Sequence, residues 1–319
     1  MSNDDLHSEE SPASAIQAPI VDKIPKIALK GVGIDSYASQ IQTKLKLRGF
    51  NFNIMVVGTS GLGKTTFVNS LFGSTLVNHT TANFDENGTT QIKLNNFVLA
   101  ENGIQMHLNL IDTPGFGLGI NNENSLENIL KYIKEQYTLY LRRELTAARE
   151  KFIVDTRVHC ILYFISPTGH ALKPLDILSL KLLGDICNVI PVIAKSDALT
   201  IDERKQFKAR VQEEFAFNGI RLYPFDSDPY HPEKEIASLD DDDLQKLFEE
   251  QLGSNHKIRE LMPFAVIGSE NMIPADGKDA SKLIRGRKTY WGAIINIEDP
   301  NHCEFMQLKK FLLQYFPFI

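Results

Sequence analysis

Short apolar runs alternate with longer stretches of helical spacing, and this alternation dominates the chain from Asn51 onward. Phe52 to Val57 is an apolar run closed by a glycine, and Lys64 to Leu71 has helical character, so the pair reads as strand, loop and helix. Gln91 to Leu99, Ile104 to Ile111, Val158 to Ile165, Val189 to Ala194 and Phe264 to Ile267 follow, each with the texture of a strand in a mostly buried sheet. Between them Ser125 to Glu150, Pro174 to Leu183 and Asp202 to Phe217 predict helices. Strands that alternate with helices imply an α/β fold wrapped around a sheet. The polar stretch Asp226 to Asp243, with Pro229, Pro232 and the acidic run Asp240 to Asp243, predicts a surface insertion.

Composition narrows this picture. A chain of 319 residues with 43% hydrophobic content buries one large core, and one domain plus tails is the expected organisation. Residues 1–30 read as a disordered acidic tail, carrying Asp4, Asp5, Glu9 and Glu10 among small polar residues. Residues 31–50 form a short basic lead-in, and 51–319 the folded domain. The formal charge of -6 argues against a nucleic-acid partner, which calls for a net basic footprint. Cys160, Cys187 and Cys303 are far apart in apolar or mixed sequence, so they read as buried thiols and not as a zinc set. The first residues lack the basic start and apolar core of a signal peptide, and no apolar run is long enough to span a bilayer; the expected location is the cytoplasm. Lys44, Lys46 and Arg48 do not share one helix face, and three such charges contribute only about 3 kcal/mol near anionic lipid, a weak membrane contact at most.

The chemistry lies in three separated motifs. Gly58, Thr59, Ser60, Gly61, Leu62, Gly63, Lys64 and Thr65 fit the spacing G-x-x-x-x-G-K-[ST] between a predicted strand and helix. Glycines in that context let successive backbone N–H groups face phosphate oxygens, and the helix adds its positive end. Lys64 is the expected partner of the β and γ phosphates, Thr65 offers its hydroxyl to Mg²⁺, and Thr66 serves the α-phosphate end. Asp112-Thr-Pro-Gly115 follows an apolar strand, which sets a carboxylate beside the phosphates to hold Mg²⁺ through water and a Gly115 N–H toward a γ-phosphate. Lys195, Ser196 and Asp197 end a later strand on the same rim. A carboxylate there accepts from the two adjacent donors on guanine, a pair that adenine does not supply, so GTP or GDP is the expected ligand by a factor of about 10⁴. Lys195 is expected to pack over the base or to strap the loops together.

These residues resemble the septins, filament-forming cytoskeletal GTPases. The resemblance is carried by Gly61-Leu-Gly-Lys-Thr, Asp112-Thr-Pro-Gly-Phe-Gly117, the run from Leu162 to Asp176, Ile190 to Asp197, Pro263 to Ser269, and Arg285-Gly-Arg287 followed by Trp291-Gly292. It implies a Ras-like P-loop GTPase domain with a mixed, mostly parallel sheet, helices on both faces, and a C-terminal β-hairpin and helix. It also implies pairing with other septin subunits through the nucleotide face. Gly268 and Arg287 match positions that line guanine, His170 matches the residue that reaches the neighbour's phosphates, and Trp291 matches the aromatic anchor of that face. Thr89 aligns with a switch-loop threonine that touches Mg²⁺ and the γ-phosphate, the candidate catalytic residue. Glu203 matches a position near the nucleotide, and Thr200-Ile-Asp-Glu203 is also a capping-box pattern.

Departures from the pattern bear on function. Phe116 stands where faster GTPases place the glutamine that orients water, so slow or absent hydrolysis is expected. Leu118 replaces the usual aspartate, Thr289-Tyr290 replaces Tyr-Pro, and the sequence stops at Phe318-Ile319 without a heptad run. The expectation is a scaffold subunit of hetero-oligomers or filaments at the cell cortex or septin ring, with a slow nucleotide-dependent switch as the alternative.

Overall fold

Strand order explains how three distant motifs meet. In the computed structural model β1 (Phe50–Gly58) lies between β3 (Ile104–Asp112) and β4 (Cys160–Ile165), parallel to both, and β5 (Val189–Ile193) and β6 (Phe264–Ala265) continue the parallel set. β2 (Lys93–Glu101) is antiparallel to β3 and closes the far edge, giving the order β2-β3-β1-β4-β5-β6. The structure describes residues 43, 46–73, 92–101, 104–113, 115, 123–146, 153–224, 257–274, 283–288 and 293–315. The chain divides into Met1–Thr43 and Lys44–Ile319, and the fold below belongs to the second unit. The polar stretch 226–243 lies outside the described residues.

Helices cover both faces because strand residues alternate between two cores. Phe52, Ile54 and Val56 of β1 point to the side where α1 (Lys64–Phe72) and α5 (Phe305–Lys310) pack through Phe67, Leu71, Phe305 and Leu308. Met55 and Val57 point the other way, onto α2 (Glu123–Leu145), α3 (Pro174–Gly184) and α4 (Ile201–Asn218), which contribute Ile129, Leu183 and Phe207. A smaller antiparallel sheet of β7 (Met272–Pro274), β8 (Leu283–Lys288) and β9 (Ile294–Asn296) stands apart from the main one. The expected C-terminal hairpin is therefore a three-stranded sheet.

Two strand expectations need correction. β2 is not mostly buried: Leu94 is 55% exposed and Val98 62%, since an edge strand here packs only Phe97 and Leu99 toward the core. The strand expected over Phe264 to Ile267 pairs only at Phe264–Ala265. Beyond it the Val266 N–H still donates to Ile193 O, whereas Val266 O turns to accept the Ser196 N–H.

A largely buried ion pair ties α4 to the start of α5 and to β6. Lys208 Nζ donates to Glu304 Oε1 at 2.6 Å and to Leu261 O at 2.8 Å, while Glu304 Oε2 accepts the Ala265 N–H at 2.7 Å. Burial pulls the Lys208 ammonium below its ordinary range, and the Glu304 carboxylate opposes that shift. Glu304→Ala strands an ammonium and a strand N–H together. It is expected to cost about 3 kcal/mol in chemical denaturation, and a loss below about 1 kcal/mol would contradict this role.

Candidate functional site

All five parallel strands end on one rim, and each expected motif follows one of them. The register pairs Val56 with Asp112 and Gly58 with Phe164, so the loop after β1 lies beside the ends of β3 and β4. Thr113 secures this: its N–H and its hydroxyl both donate to Val56 O, at 3.3 and 2.7 Å. The strand order reverses direction at β1, the position where ligands settle in open α/β sheets.

The loop from Gly58 to Lys64 wraps back on itself. Gly61 and Gly63 have φ near 80°, a left-handed conformation that side chains with a Cβ adopt at a cost, and Gly63 then caps α1 without a side-chain bond. Lys64 is buried and donates to Gly58 O and Thr59 O, each at 3.0 Å. Burial pushes its ammonium down to about 8, with Asp112 pulling the other way. The Asp112 carboxyl is raised by burial, against Lys64 and Lys93. Gly115 packs on the same loop so closely that a Cβ there would stand 2.2 Å from Ser60 Cα. Thr65 sits half-buried in the first turn of α1.

Opposite the loop, Lys195 adopts φ 47°, the one positive value at a non-glycine residue among the described residues. Such a conformation costs roughly 1–3 kcal/mol and is held by surrounding structure. Its Cε lies 4.0 Å from the Cβ position of Gly63, so the two loops approach each other there. Ser196 is anchored through its N–H to Val266 O at 3.1 Å. Asp197 Oδ2 lies 3.3 Å from Arg287 Nη1, whereas the buried Oδ1 has no hydrogen-bond partner among the described residues.

Between these walls lies a cavity of ≈ 490 Å³ lined by Gly61, Leu62, Gly63, Thr66, Lys195, Gly268 and Arg287 among the expected residues. Phe164, Val266, Glu270 and Asn271 also line it, and sequence reasoning did not single them out for this role. Arg287 is delivered by β8. Its neighbour on the same strand face, Arg285, donates to Ser70 O at the end of α1 at 2.6 Å, and the Ser269 hydroxyl donates to Gly286 O at 2.6 Å. Gly268 abuts α1, where an added Cβ would meet Phe67 N at 3.0 Å.

Of the other expected residues, Gly58, Thr59, Ser60, Lys64, Thr65, Asp112, Gly115, Ser196 and Asp197 lie on the adjoining segments without lining the cavity, and His170 and Glu203 do not line it either. His170 is exposed on the loop between β4 and α3, and Glu203 is exposed in the first turn of α4. The Glu203 carboxylate accepts from the Thr200 N–H and hydroxyl, each at 2.9 Å, and completes the expected capping box. Thr89 and Trp291 lie outside the described residues.

Asp197 Oδ1 is a buried acceptor without a hydrogen-bond partner among the described residues, next to Arg287, which lines the cavity, although Asp197 itself does not. A buried acceptor left unpaired costs about 1–3 kcal/mol, and a pair of ring N–H groups would remove that cost. Lys64 supplies a pH test. Polyphosphate binding favours its charged form, so affinity should be full below about pH 8 and fall as pH rises through that value. Fluorescent GDP titrations between roughly pH 7 and 9 check this, with Lys64→Arg, whose guanidinium does not titrate there, as comparator. Unchanged affinity at the top of that range in the native chain would contradict it.

Comparison with known proteins agrees with the geometry. The septin family model matches residues 48–317. The chain is 49% identical over 286 residues to cell division control protein 10 of Candida albicans, covering 89% of this chain and 74% of that protein. It is also 49% identical over 287 residues to septin homolog spn2 of Schizosaccharomyces pombe, covering 89% and 80%. Among solved structures, the septin GTPase domain of Chlamydomonas reinhardtii superposes with a TM-score of 0.56 at 23% identity, covering 83% of this chain and 91% of that one, a likeness of fold. On its sequence, its sheet order and these matches, the chain belongs to the septin family.

Proposed function

We propose that this septin binds GTP or GDP in the cavity described above and uses the bound nucleotide to order a face that pairs with another septin subunit. The observation that carries the reading is Asp197: one carboxylate oxygen is held by Arg287 and the other is buried with no partner among the described residues. The backbone N–H groups from Gly58 to Thr66 would hold the phosphates, with Lys64 leaving its two carbonyl partners to neutralise them. Thr65 and Asp112, joined by Thr89, would hold Mg²⁺, which supplies charge neutralisation at the phosphates when bound. Gly115 brings its segment against Ser60, so the chain beyond Asp112 senses how the phosphate loop is filled.

Hydrolysis plays a minor part in this reading. The residue after Gly115 is Phe116, which has no group to orient water. The nucleotide is then an ordering cofactor more than a substrate. His170, Arg287 and Trp291 belong to the pairing face, and assembly into hetero-oligomers or filaments follows from it. Two relatives are named for cell division control or as a septin homolog, which supports a cytoskeletal role at the division site or the cell cortex. Membrane contact through Lys44, Lys46 and Arg48 is weak and depends on many subunits acting together.

Asp197→Asn tests the base assignment. An amide presents donors where xanthine has a carbonyl, so GDP affinity should drop by roughly 100-fold or more while XDP affinity rises. Competition of both nucleotides against fluorescent GDP reads the change. Undiminished GDP binding by a folded Asp197→Asn protein would refute the assignment.

A further inference from the structure

The loop between β4 and α3 is held more firmly than its exposed tip requires. Glu214, on α4, accepts the Leu172 N–H on Oε2 at 3.0 Å, and Arg210, one turn earlier on the same helix, donates to Gly169 O at 3.2 Å. Leu172 is buried, so its N–H needs a partner from the protein. Inside the loop the Thr168 hydroxyl donates to Ala171 O at 3.1 Å, and Gly169 turns at φ 76°. A Cβ on that glycine would meet Leu199 Cδ2 at 3.4 Å, two residues beyond Asp197. At the loop's far end Tyr163 donates to the buried Asp176 at 2.8 Å, which pins the first turn of α3 to β4.

His170 sits at the centre of this bracing and is exposed, with no hydrogen bond or ion pair among the described residues. Arg210 and Glu214 are four apart on one helix face, the spacing at which they would pair with each other. Each instead reaches for the loop backbone on either side of His170. Fixing a loop costs conformational entropy, and that cost is recovered when the fixed geometry is the one a partner meets.

We propose that Glu214 and Arg210 are positioning residues for His170, holding its loop in the orientation that a second subunit contacts across the nucleotide face. The proposal rests on the pairing role given to His170 above and assigns the machinery that sets it. Glu214 needs only an acceptor oxygen for this task, so a glutamine should serve as well as a glutamate, whereas an alanine should not.

The test is self-association of the full chain loaded with GDP, measured by sedimentation, with thermal melting alongside. Glu214→Ala should weaken pairing about five- to tenfold, the factor expected when a buried N–H loses its partner. Arg210→Ala should act in the same direction and less, and Glu214→Gln should pair within about twofold of the native chain. In a His170→Ala background, Glu214→Ala should add nothing further, since both changes remove one contact. If Glu214→Ala melts too early to assay, Arg210→Ala in both backgrounds carries the same comparison. Equal weakening with and without His170 would overturn the proposal, as would native-like pairing by Glu214→Ala beside a weakened His170→Ala. Native-like pairing by His170→Ala, or a native chain that stays monomeric with GDP, would instead sink the pairing role on which the proposal rests.

Discussion

The site depends on the pairing of β1 with a parallel neighbour on each side. Because hydrogen-bond register sets Val56 opposite Asp112 and Gly58 opposite Phe164, the phosphate loop, the acidic end of β3 and the loop after β4 share one rim. Thr113 locks that register with two bonds to a single carbonyl. The loop after β1 and Asp112 at the end of β3 are both attached to this alignment. A shift of one residue would turn Asp112 to the opposite face of the sheet, away from Lys64.

A second layer of organisation joins the small sheet to the large one. Arg285 and Arg287 lie two residues apart on β8, so their side chains share a face. The first grips the end of α1 at Ser70 O, and the second meets Asp197. The residue expected to read the base is thus connected to a strand outside the main sheet. Ser269 strengthens the same link, accepting from the Asn271 N–H and donating to Gly286 O. On the proposed reading, nucleotide binding and the geometry of β8 would share these few contacts, a physical route from an occupied site to an ordered assembly face.

Much of this was legible in the sequence because the signals were local. Strands buried on both faces read as apolar runs, and the phosphate loop announces itself by spacing between a strand and a helix. Thr200 and Glu203 gave the capping box that the structure contains. What escaped was long-range. Leu94 and Val98 look like core residues until β2 proves to be an edge. The grip of Arg285 spans 215 positions, and the Lys208 pair with Glu304 spans 96. Phe164, Glu270 and Asn271 line the cavity because neighbouring strands end together, which no window of sequence reveals. Lys195 shows the reverse: its position was expected, while the left-handed backbone that aims it at Gly63 came only from the fold.

If Asp197 reads a purine with adjacent N–H donors while the loop from Gly58 to Thr66 holds its phosphates, calorimetry should reveal the discrimination directly. Nucleotide-stripped, folded protein titrated with GDP and separately with ADP is expected to favour GDP by about 10⁴. Equal affinity for the two would contradict the assignment of the site.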